Sequence, residues 1–263
     1  ASTMEAQRTA GLGVDTRGQI WRRILRNRKA VAGAILLAVI ALAAIFADYI
    51  TVHDPYTQNL RNRLQPPSSD HWLGTDQFGR DMFSRIVYGA RISLRVGFIS
   101  VGIALLAGGT MGLLAGYYGG WLETIFMRLV DILLALPSFL LALAIVSTLG
   151  PSLTNVMIAV GIAYIPAFAR VMRSAVLAVR QLDYVTAALA AGASDLRIMV
   201  RHVVPNALNP IIVQATLSLA NAILAAAALS FLGMGAQPPT PEWGSMLNSA
   251  HSFIRTAHHV VTY

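Results

Sequence analysis

Cysteine, charge and lysine are scarce in this chain, and each scarcity excludes a class of protein. None of the 263 residues is cysteine, which rules out a disulfide framework and thiolate metal sites. Charged residues make up 12% of the chain and hydrophobic residues 56%, whereas soluble domains carry about 25% charged residues. This composition predicts a protein embedded in a lipid bilayer.

The common catalytic motifs are also missing. The one lysine, Lys29, lies in no G-x-x-x-x-G-K-[ST] sequence, so no phosphate loop for ATP hydrolysis is predicted. Neither H-E-x-x-H nor G-x-S-x-G occurs. His251, His258 and His259 lack acidic neighbours at ligand spacing, so we expect no metal site there. The chain is predicted to be non-catalytic, with no cofactor and no metal of its own.

The formal net charge of +8 raises the question of a nucleic-acid partner. The basic residues lie in blocks between apolar runs, not on one face of a soluble domain. Membrane topology explains this arrangement, because Arg and Lys collect in cytoplasmic loops. We therefore expect membrane lipid around the chain and no nucleic acid.

Five apolar runs are long enough to span a membrane as helices. An Arg-rich segment, 1–29, precedes the first run and is expected to be cytoplasmic. The predicted spans are 30–50, 92–118, 124–148, 155–177 and 208–232. Five crossings from inside place the loops 51–91 and 233–263 outside, and the loop 178–207, where Arg residues cluster, in the cytoplasm. The predicted fold class is an all-α polytopic membrane protein.

Proline, glycine and polar residues mark positions within these helices. Pro137 and Pro166 are expected to kink their spans. A glycine row with four-residue spacing predicts close approach of a neighbouring helix: Gly108, Gly112, Gly116 and Gly120. A polar stripe on the last span favours either hydrogen bonds between helices or a wet translocation path: Gln214, Ser218 and Asn221.

The segment before the second span, "RDMFSRIVYGARISL", has an amphipathic pattern. Met82, Phe83, Ile86 and Val87 share one helical face, with Arg85 elsewhere. We therefore predict an amphipathic helix that lies at the outer interface within the external loop 51–91.

The predicted cytoplasmic loop contains "DYVTAALAAGASDLRIMVRHVVP" (183–205). Asp183 is expected to cap a short helix, 184–191, and Gly192 to end it in a left-handed conformation. Ser194 and Asp195 are expected to begin a second helix that stops at Pro205. The short helix carries mostly small residues, so it is either an interfacial linker or an element on which another surface docks.

This loop resembles the EAA loop of ATP-binding-cassette (ABC) importer permeases, in Thr186, Ala187, Ala188, Gly192 and Pro205. Thr186 stands where that motif has glutamate, and Gly192 is the position carried over best. "HWLGTDQFGRDMFSRIVYGARISLRVG" (71–97) and "FLGMGAQPPTPEWGSML" (231–247) resemble the C-type permease subunits of the dipeptide, oligopeptide and nickel group. The chain is identified as similar to that family over most of residues 20–263.

The resemblance implies a type I ABC importer transmembrane domain, whose permease core would be 92–263, with a sixth span expected beyond Tyr263. It also implies a bacterial cytoplasmic membrane location and the import of dipeptides or short oligopeptides. The implied partners are a second homologous permease forming a heterodimer, two ATPase subunits that carry ATP and Mg²⁺, an extracytoplasmic substrate-binding protein and the peptide itself.

The resemblance also assigns residues to these contacts. Nine residues are expected to couple the chain to the ATPases: Asp183, Tyr184, Thr186, Ala187, Ala188, Gly192, Ala193, Ser194 and Asp195. Five residues of the outer loops are expected to contact the binding protein: Asp76, Arg80, Asp81, Glu242 and Trp243. For Glu242, the amino group of a peptide is a further hypothesis.

Other functions remain open at this point. A nickel or glutathione importer of the same group would share these features. An ATP-independent carrier or channel would instead be expected to carry coupling-ion carboxylates or broken-helix repeats near the midplane.

Overall fold

A computed structural model describes residues 27–262, so the predicted segment 1–29 lies almost wholly outside the described residues. Within 27–262 the chain forms helices and turns, with one isolated bridge between Thr75 and Asp81 and no strand. The predicted all-α class is confirmed. The α-helices are α1 (Arg28–Ile45), α2 (Ala47–Ile50), α3 (Met82–Tyr118), α4 (Gly120–Leu134), α5 (Ser138–Leu149), α6 (Leu153–Arg180), α7 (Asp183–Ala190), α8 (Asp195–Ile198), α9 (Val204–Phe231), α10 (Trp243–His251) and α11 (His258–Thr262).

Among residues 27–262, three helical segments are long and apolar enough to cross a membrane: α3, α6 and the run Asp195–Phe231. They contain the predicted spans 92–118 and 155–177, and all of 208–232 except its last residue. The bent pair of α4 and α5 gives a fourth crossing if it is counted as one span. The apolar part of α1, Val31–Ile45, is shorter, so the first of the five predicted spans stays a prediction.

The predicted span 124–148 is divided into two helices. The axes of α4 and α5 differ by 86° across the break, which contains Pro137 (φ −53°, ψ 135°). Proline has no N–H and disfavours the α conformation of the residue before it, so the helix ends there. The kink predicted at Pro137 is confirmed, whereas Pro166 lies inside the unbroken helix α6.

Helix α3 is longer than the predicted span. The amphipathic segment before residue 92 continues into it as one helix of 37 residues, so the prediction of a separate interfacial helix is wrong. Asp81 begins α3, since its carboxylate Oδ2 accepts a hydrogen bond from the Ser84 backbone N–H at 2.8 Å. Arg85, which the sequence places away from the apolar face, is buried, as is Ser84 beside it.

Glycine sets the packing of α3 against α6. A Cβ atom at Gly108 or Gly112 would meet the backbone oxygens of Ile165 or Ala169, and one at Gly116 would lie 2.9 Å from Val176 Cβ. Only glycine permits this approach of two backbones. The packing role is confirmed for these three positions. Gly120 differs, because nothing lies near its missing Cβ and its φ is +58°.

The loops collect at opposite ends of the helices. At one end the buried apolar cluster consists of Met82, Ala250, Ala257 and Val260. At the other end Tyr117 packs with Val185, Ile198 and Val203. The segments 51–91 and 233–262 therefore share one end, and 178–207 lies at the other.

Candidate functional site

The short helix α7 is attached to the rest of the chain chiefly through one side chain. Val185 is fully buried and packs with Val179, Ile198 and Val203. Thr186, Ala187 and Ala190 are exposed. The helix thus buries one anchor and exposes short side chains together with the larger Tyr184 and Leu189, which gives a partner both close approach and apolar contacts.

Gly192 ends α7 in the conformation that the sequence predicts. Its φ is +77°, and nothing lies within 4 Å of the position of a Cβ. Its N–H donates to the Leu189 carbonyl at 3.0 Å, and the N–H of Ala193 donates to the Ala188 carbonyl at 3.1 Å. This pair of bonds is the Schellman motif, which requires a left-handed residue at the position of Gly192. The turn therefore fixes the direction in which the chain leaves α7.

The caps of this loop differ in part from the prediction. The residue before α7 is Leu182, and Asp183 occupies the first helical turn, where a carboxylate is favoured by the helix dipole. Ser194 stands at the N-cap of α8, but its side chain makes no capping hydrogen bond. Asp195 lies in the first turn of α8, as predicted.

The prediction that Pro205 stops the second helix is wrong. A π-helical turn, Met199–Val203, follows α8, and α9 begins at Val204 with Pro205 in its first turn. The wider turn accommodates a residue that has no N–H and whose ring would clash with a carbonyl one turn earlier. The helical run is continuous from Asp195 to Phe231. A force applied at Asp195 therefore acts on one end of a helix that is long enough to cross the membrane.

Tyr117 connects this loop to α3, a contact that the sequence did not predict. Its hydroxyl donates to Asp195 Oδ1 at 2.9 Å, and the guanidinium of Arg180 lies 5.8 Å from the centre of its ring. Tyr184 lies near His202, with ring centres 6.3 Å apart. The nine predicted coupling residues thus form one loop next to α3, α6 and α9. All nine are exposed or partly exposed. Ala188, one of the partly exposed residues, packs against the buried cluster that contains Val185.

The polar stripe of α9 does not form one uniform surface. Gln214 Nε2 donates to Ser218 Oγ within the same helix at 3.0 Å, and Ser218 is 1% exposed. Asn221 is exposed. Ser218 is covered by the chain itself, which leaves Asn221 and the partly exposed Gln214 at the surface.

The charged residues assigned to the outer loop lie inside the protein. Asp76 Oδ2 accepts from Arg80 Nε at 2.6 Å, and Asp81 Oδ1 lies 2.9 Å from His71 Nδ1. Asp76, Arg80 and Asp81 are each less than 5% exposed. Buried charges of this kind are paired and hydrogen-bonded. In this conformation they stabilise the loop and present no surface to a partner.

Arg85, which the sequence analysis did not assign to a site, joins three segments at this end. Its Nη1 donates to the carbonyls of Pro55 at 3.0 Å and Pro239 at 3.2 Å. Its Nε lies 3.5 Å from Asp76 Oδ2. The sequence gives no local sign of this role, because the two prolines are 30 and 154 residues away from Arg85.

Glu242 and Trp243 begin α10 and attach it to α3. Glu242 Oε2 accepts from the Ser245 backbone N–H at 2.9 Å, and Trp243 Nε1 donates to the Ile86 carbonyl at 3.1 Å. Glu242 is 2% exposed. Burial raises the pKa of its carboxyl above the ordinary value, against the lowering effects of the Gly244 and Ser245 N–H groups and the Ser230 hydroxyl. The geometry makes Glu242 a buried helix cap, which gives it no access to a peptide amino group.

Two ion pairs lie between α4 and α6. Asp131 Oδ1 accepts from Arg170 Nη2 at 2.8 Å, and both side chains are more than half exposed. Glu123 Oε1 accepts from Arg173 Nε at 2.8 Å. The pairs hold the broken span to α6.

These features can be compared with known proteins. Residues 108–257 match the family of binding-protein-dependent transport system inner membrane components. The chain belongs to this family. Residues 17–67 match a second family, the N-terminal transmembrane domain of oligopeptide transport permease C. The chain is therefore a C-type permease subunit of an ABC importer, which is non-catalytic, as its missing motifs predicted.

Two curated relatives align with nearly the whole chain. The dipeptide transport system permease protein DppC of Alkalihalophilus pseudofirmus is 50% identical over 245 residues, which cover 93% of this chain and 81% of the relative. The glutathione transport system permease protein GsiD of Pectobacterium atrosepticum is 46% identical, over 93% of this chain and 82% of the relative.

Solved structures share the fold. An inward-facing MetNI methionine ABC transporter chain matches with a TM-score of 0.57 at 19% identity, covering 69% of this chain and 86% of that one. The type I ABC importer fold implied by the sequence resemblance is thereby confirmed for the permease subunit. The family match, together with the apolar helices, makes the subunit a multi-pass inner membrane protein.

Proposed function

We propose that this permease subunit forms half of an ATP-driven import pathway for dipeptides or short oligopeptides. The observation that carries the substrate class is the 50% identity, over 93% of the chain, to a protein named as a dipeptide permease. A peptide pathway also needs polar groups for backbone amides, and Asn221 and Gln214 supply such groups on the surface of α9.

We place the N-terminus and the loop 178–207 in the cytoplasm, where two ATPase subunits that carry ATP and Mg²⁺ dock on α7. The support is the exposed surface of short side chains on α7 and its attachment through Val185. Closure of the ATPases moves α7, and the continuous helix Asp195–Phe231 carries that motion into the membrane. Access then switches between the two sides.

The remaining partners are a second homologous permease, which completes the pathway as a heterodimer, and an extracytoplasmic substrate-binding protein. The binding protein docks on the end formed by 51–91 and 233–262. Four buried residues stabilise this end and so contribute to docking only indirectly: Asp76, Arg80, Asp81 and Glu242. Trp243, which is partly exposed, is available for direct contact.

Glutathione import is the second candidate, because the 46% identical relative carries that name. The two candidates separate in one assay. Uptake of a labelled dipeptide and of labelled glutathione is measured in the native bacterium after deletion of this subunit and after its restoration. Loss and recovery of dipeptide uptake alone supports the first proposal, and loss and recovery of glutathione uptake alone replaces it with the second.

The path assignment of α9 is tested with Asn221→Leu. If Asn221 lines the path, the variant subunit assembles normally and its peptide uptake falls several-fold. Leu224→Ala is the matched control, since Leu224 is an exposed apolar residue on the same helix. Full uptake by Asn221→Leu would remove Asn221 from the path.

A further inference from the structure

The outer end of the protein contains a cluster of potential metal ligands that the sequence analysis did not predict. One nitrogen of His53, one of His71 and one carboxylate oxygen of Asp70 all lie within 4.8 Å of one another. The cluster brings together the segment that follows α2 and the segment that precedes α3. It opens onto a pocket of about 340 Å³ that is also lined by Thr57, Asn59 and Asp81.

The contact of His71 with Asp81 determines which ring nitrogen of His71 carries the proton. Nδ1 lies 2.9 Å from Asp81 Oδ1, and because a carboxylate can only accept, Nδ1 carries the proton. With the proton on Nδ1, Nε2 is the ring nitrogen that remains for a metal, and it lies on the side of Asp70. A carboxylate that orients a histidine in this way is the usual second shell of a metal-binding histidine.

The carboxylate of Asp70 lies near both histidines. Nε2 lies 3.8 Å from Asp70 Oδ2, and His53 Nε2 lies 3.7 Å from Asp70 Oδ1. These distances are too long for a shared proton to bridge as a hydrogen bond. A Zn²⁺ ion bound tetrahedrally at 2.0–2.2 Å would hold such N and O atoms about 3.4 Å apart. The two Asp70 distances exceed this value by a few tenths of an ångström, but they involve different oxygens of the carboxylate. Because the three ligand atoms lie within 4.8 Å of one another, shifts of up to about 1.4 Å bring them to tetrahedral spacing.

Two of the three side chains are exposed enough to move towards an ion. The side chain of Asp70 is 77% exposed and that of His53 is 34% exposed, whereas that of His71 is 9% exposed. One ligand is thus fixed by the fold and by Asp81, and two can adjust to an ion. The exposed side of the cluster leaves a fourth position for water.

We propose that His53, Asp70 and His71 form a divalent transition-metal site, for which Zn²⁺ is the best-fitting ion, on the outer face of the subunit. Two imidazoles and one carboxylate suit zinc better than calcium or magnesium, which prefer all-oxygen sites. The bound ion joins the segment that follows α2 to the segment that precedes α3. This inference goes beyond the proposed function and does not depend on the transported substrate.

The test uses the full chain, purified in detergent with a histidine-free affinity tag and stripped with a chelator. Zn²⁺ is titrated in competition with a chromophoric chelator, and Mg²⁺ is titrated as the control ion. We expect one Zn²⁺ per chain and no measurable competition by Mg²⁺. X-ray absorption of the zinc-loaded chain is expected to show two imidazole ligands.

His53→Ala and Asp70→Asn remove a ligand without touching buried His71. Since even outer-shell partners change metal affinity by about 10–100-fold, each variant is expected to bind Zn²⁺ at least tenfold more weakly. His251→Ala, at an exposed histidine of α10, is the matched control and should bind as the wild type does. Unchanged elution and melting of the variants in chelator shows that they are folded.

Two results would overturn the proposal. Absence of a one-to-one zinc complex in the wild-type chain would mean that the three side chains only contact one another and hold no ion. Zinc binding that His53→Ala leaves unchanged would place the ion elsewhere on the chain.

Discussion

The hydroxyl of Tyr117 lies 2.9 Å from Asp195 Oδ1 and joins the last turn of α3 to the first turn of α8. Both residues border the loop that we propose as the ATPase contact. Among the described residues, this contact is the one side-chain hydrogen bond between α3 and the loop 178–207.

Tyr117→Phe removes this link while the ring keeps its packing. A hydrogen bond to a charged group contributes about 1.5–3 kcal/mol when buried, and this one is partly buried, so we expect a loss near the lower value. The measurement is the melting temperature of the detergent-solubilised chain, together with peptide-stimulated ATP hydrolysis by the reconstituted importer. Tyr118→Phe, at the exposed neighbour, should change neither quantity. An unaltered Tyr117→Phe subunit would show that the contact contributes nothing.

Gly112→Val tests the contact of α3 with α6. The added side chain would overlap the backbone of Ala169 and lie against Met172 Cβ, so the helices must separate. Overpacking of this kind costs about 1–3 kcal/mol, and sometimes more. We expect a lower yield of folded protein and a lower melting temperature.

Gly102→Val is the control for that experiment, because nothing lies within 4 Å of a Cβ at Gly102 on the same helix. It should melt close to the wild type. Equal destabilisation by both variants would contradict the glycine-packing account.

Arg85→Gln tests the junction of the outer segments. The change leaves Asp76 with one buried partner fewer and breaks the bonds to Pro55 and Pro239. Loss of one member of a buried charge pair costs about 3–5 kcal/mol. We expect the outer loops to be cut faster in limited proteolysis, with Arg95→Gln, at an exposed arginine of the same helix, as the control. Equal cleavage rates would show that Arg85 does not hold these segments.

Glu242 gives the outer end a pH dependence. Burial raises its pKa above the ordinary 4.5, so the folded state binds the proton more tightly than the unfolded state does. The stabilisation is fully present below pH 4.5 and is lost as pH rises through the raised pKa. The melting temperature of the wild type, measured relative to that of Glu242→Gln, should therefore fall as pH rises from 4.5 towards 7. A difference that is constant with pH would contradict this.

Much of the fold could be predicted from the sequence because long apolar runs need lipid or burial. The positions of the three long apolar helices, the break at Pro137 and the left-handed Gly192 all follow from local chemistry. The prediction that Pro205 ends a helix fails because the π-helical turn before it depends on the packing of Met199 and Val203. No local pattern reports that packing.

The outer end could not be predicted for a related reason. Arg85 looks like a solvent-facing residue in an amphipathic pattern, and its burial depends on carbonyls from two distant segments. His53 and His71 are likewise separated in sequence, and only the return of the loop brings their rings to a 4.7 Å centroid distance. Such sites depend on long-range contacts that periodicity does not encode.

The central claim, that α7 couples this subunit to ATPases, is tested most directly by affinity capture from the native membrane. The wild-type chain should bring down ATPase chains and a second permease, and the captured complex should hydrolyse ATP faster with peptide-loaded binding protein. Gly192→Ala forces a side chain into a left-handed conformation at a cost of about 1–2 kcal/mol, so stimulation should fall while Gly102→Ala behaves as wild type. A wild-type chain captured without any ATPase, or stimulation untouched by Gly192→Ala, would contradict the account.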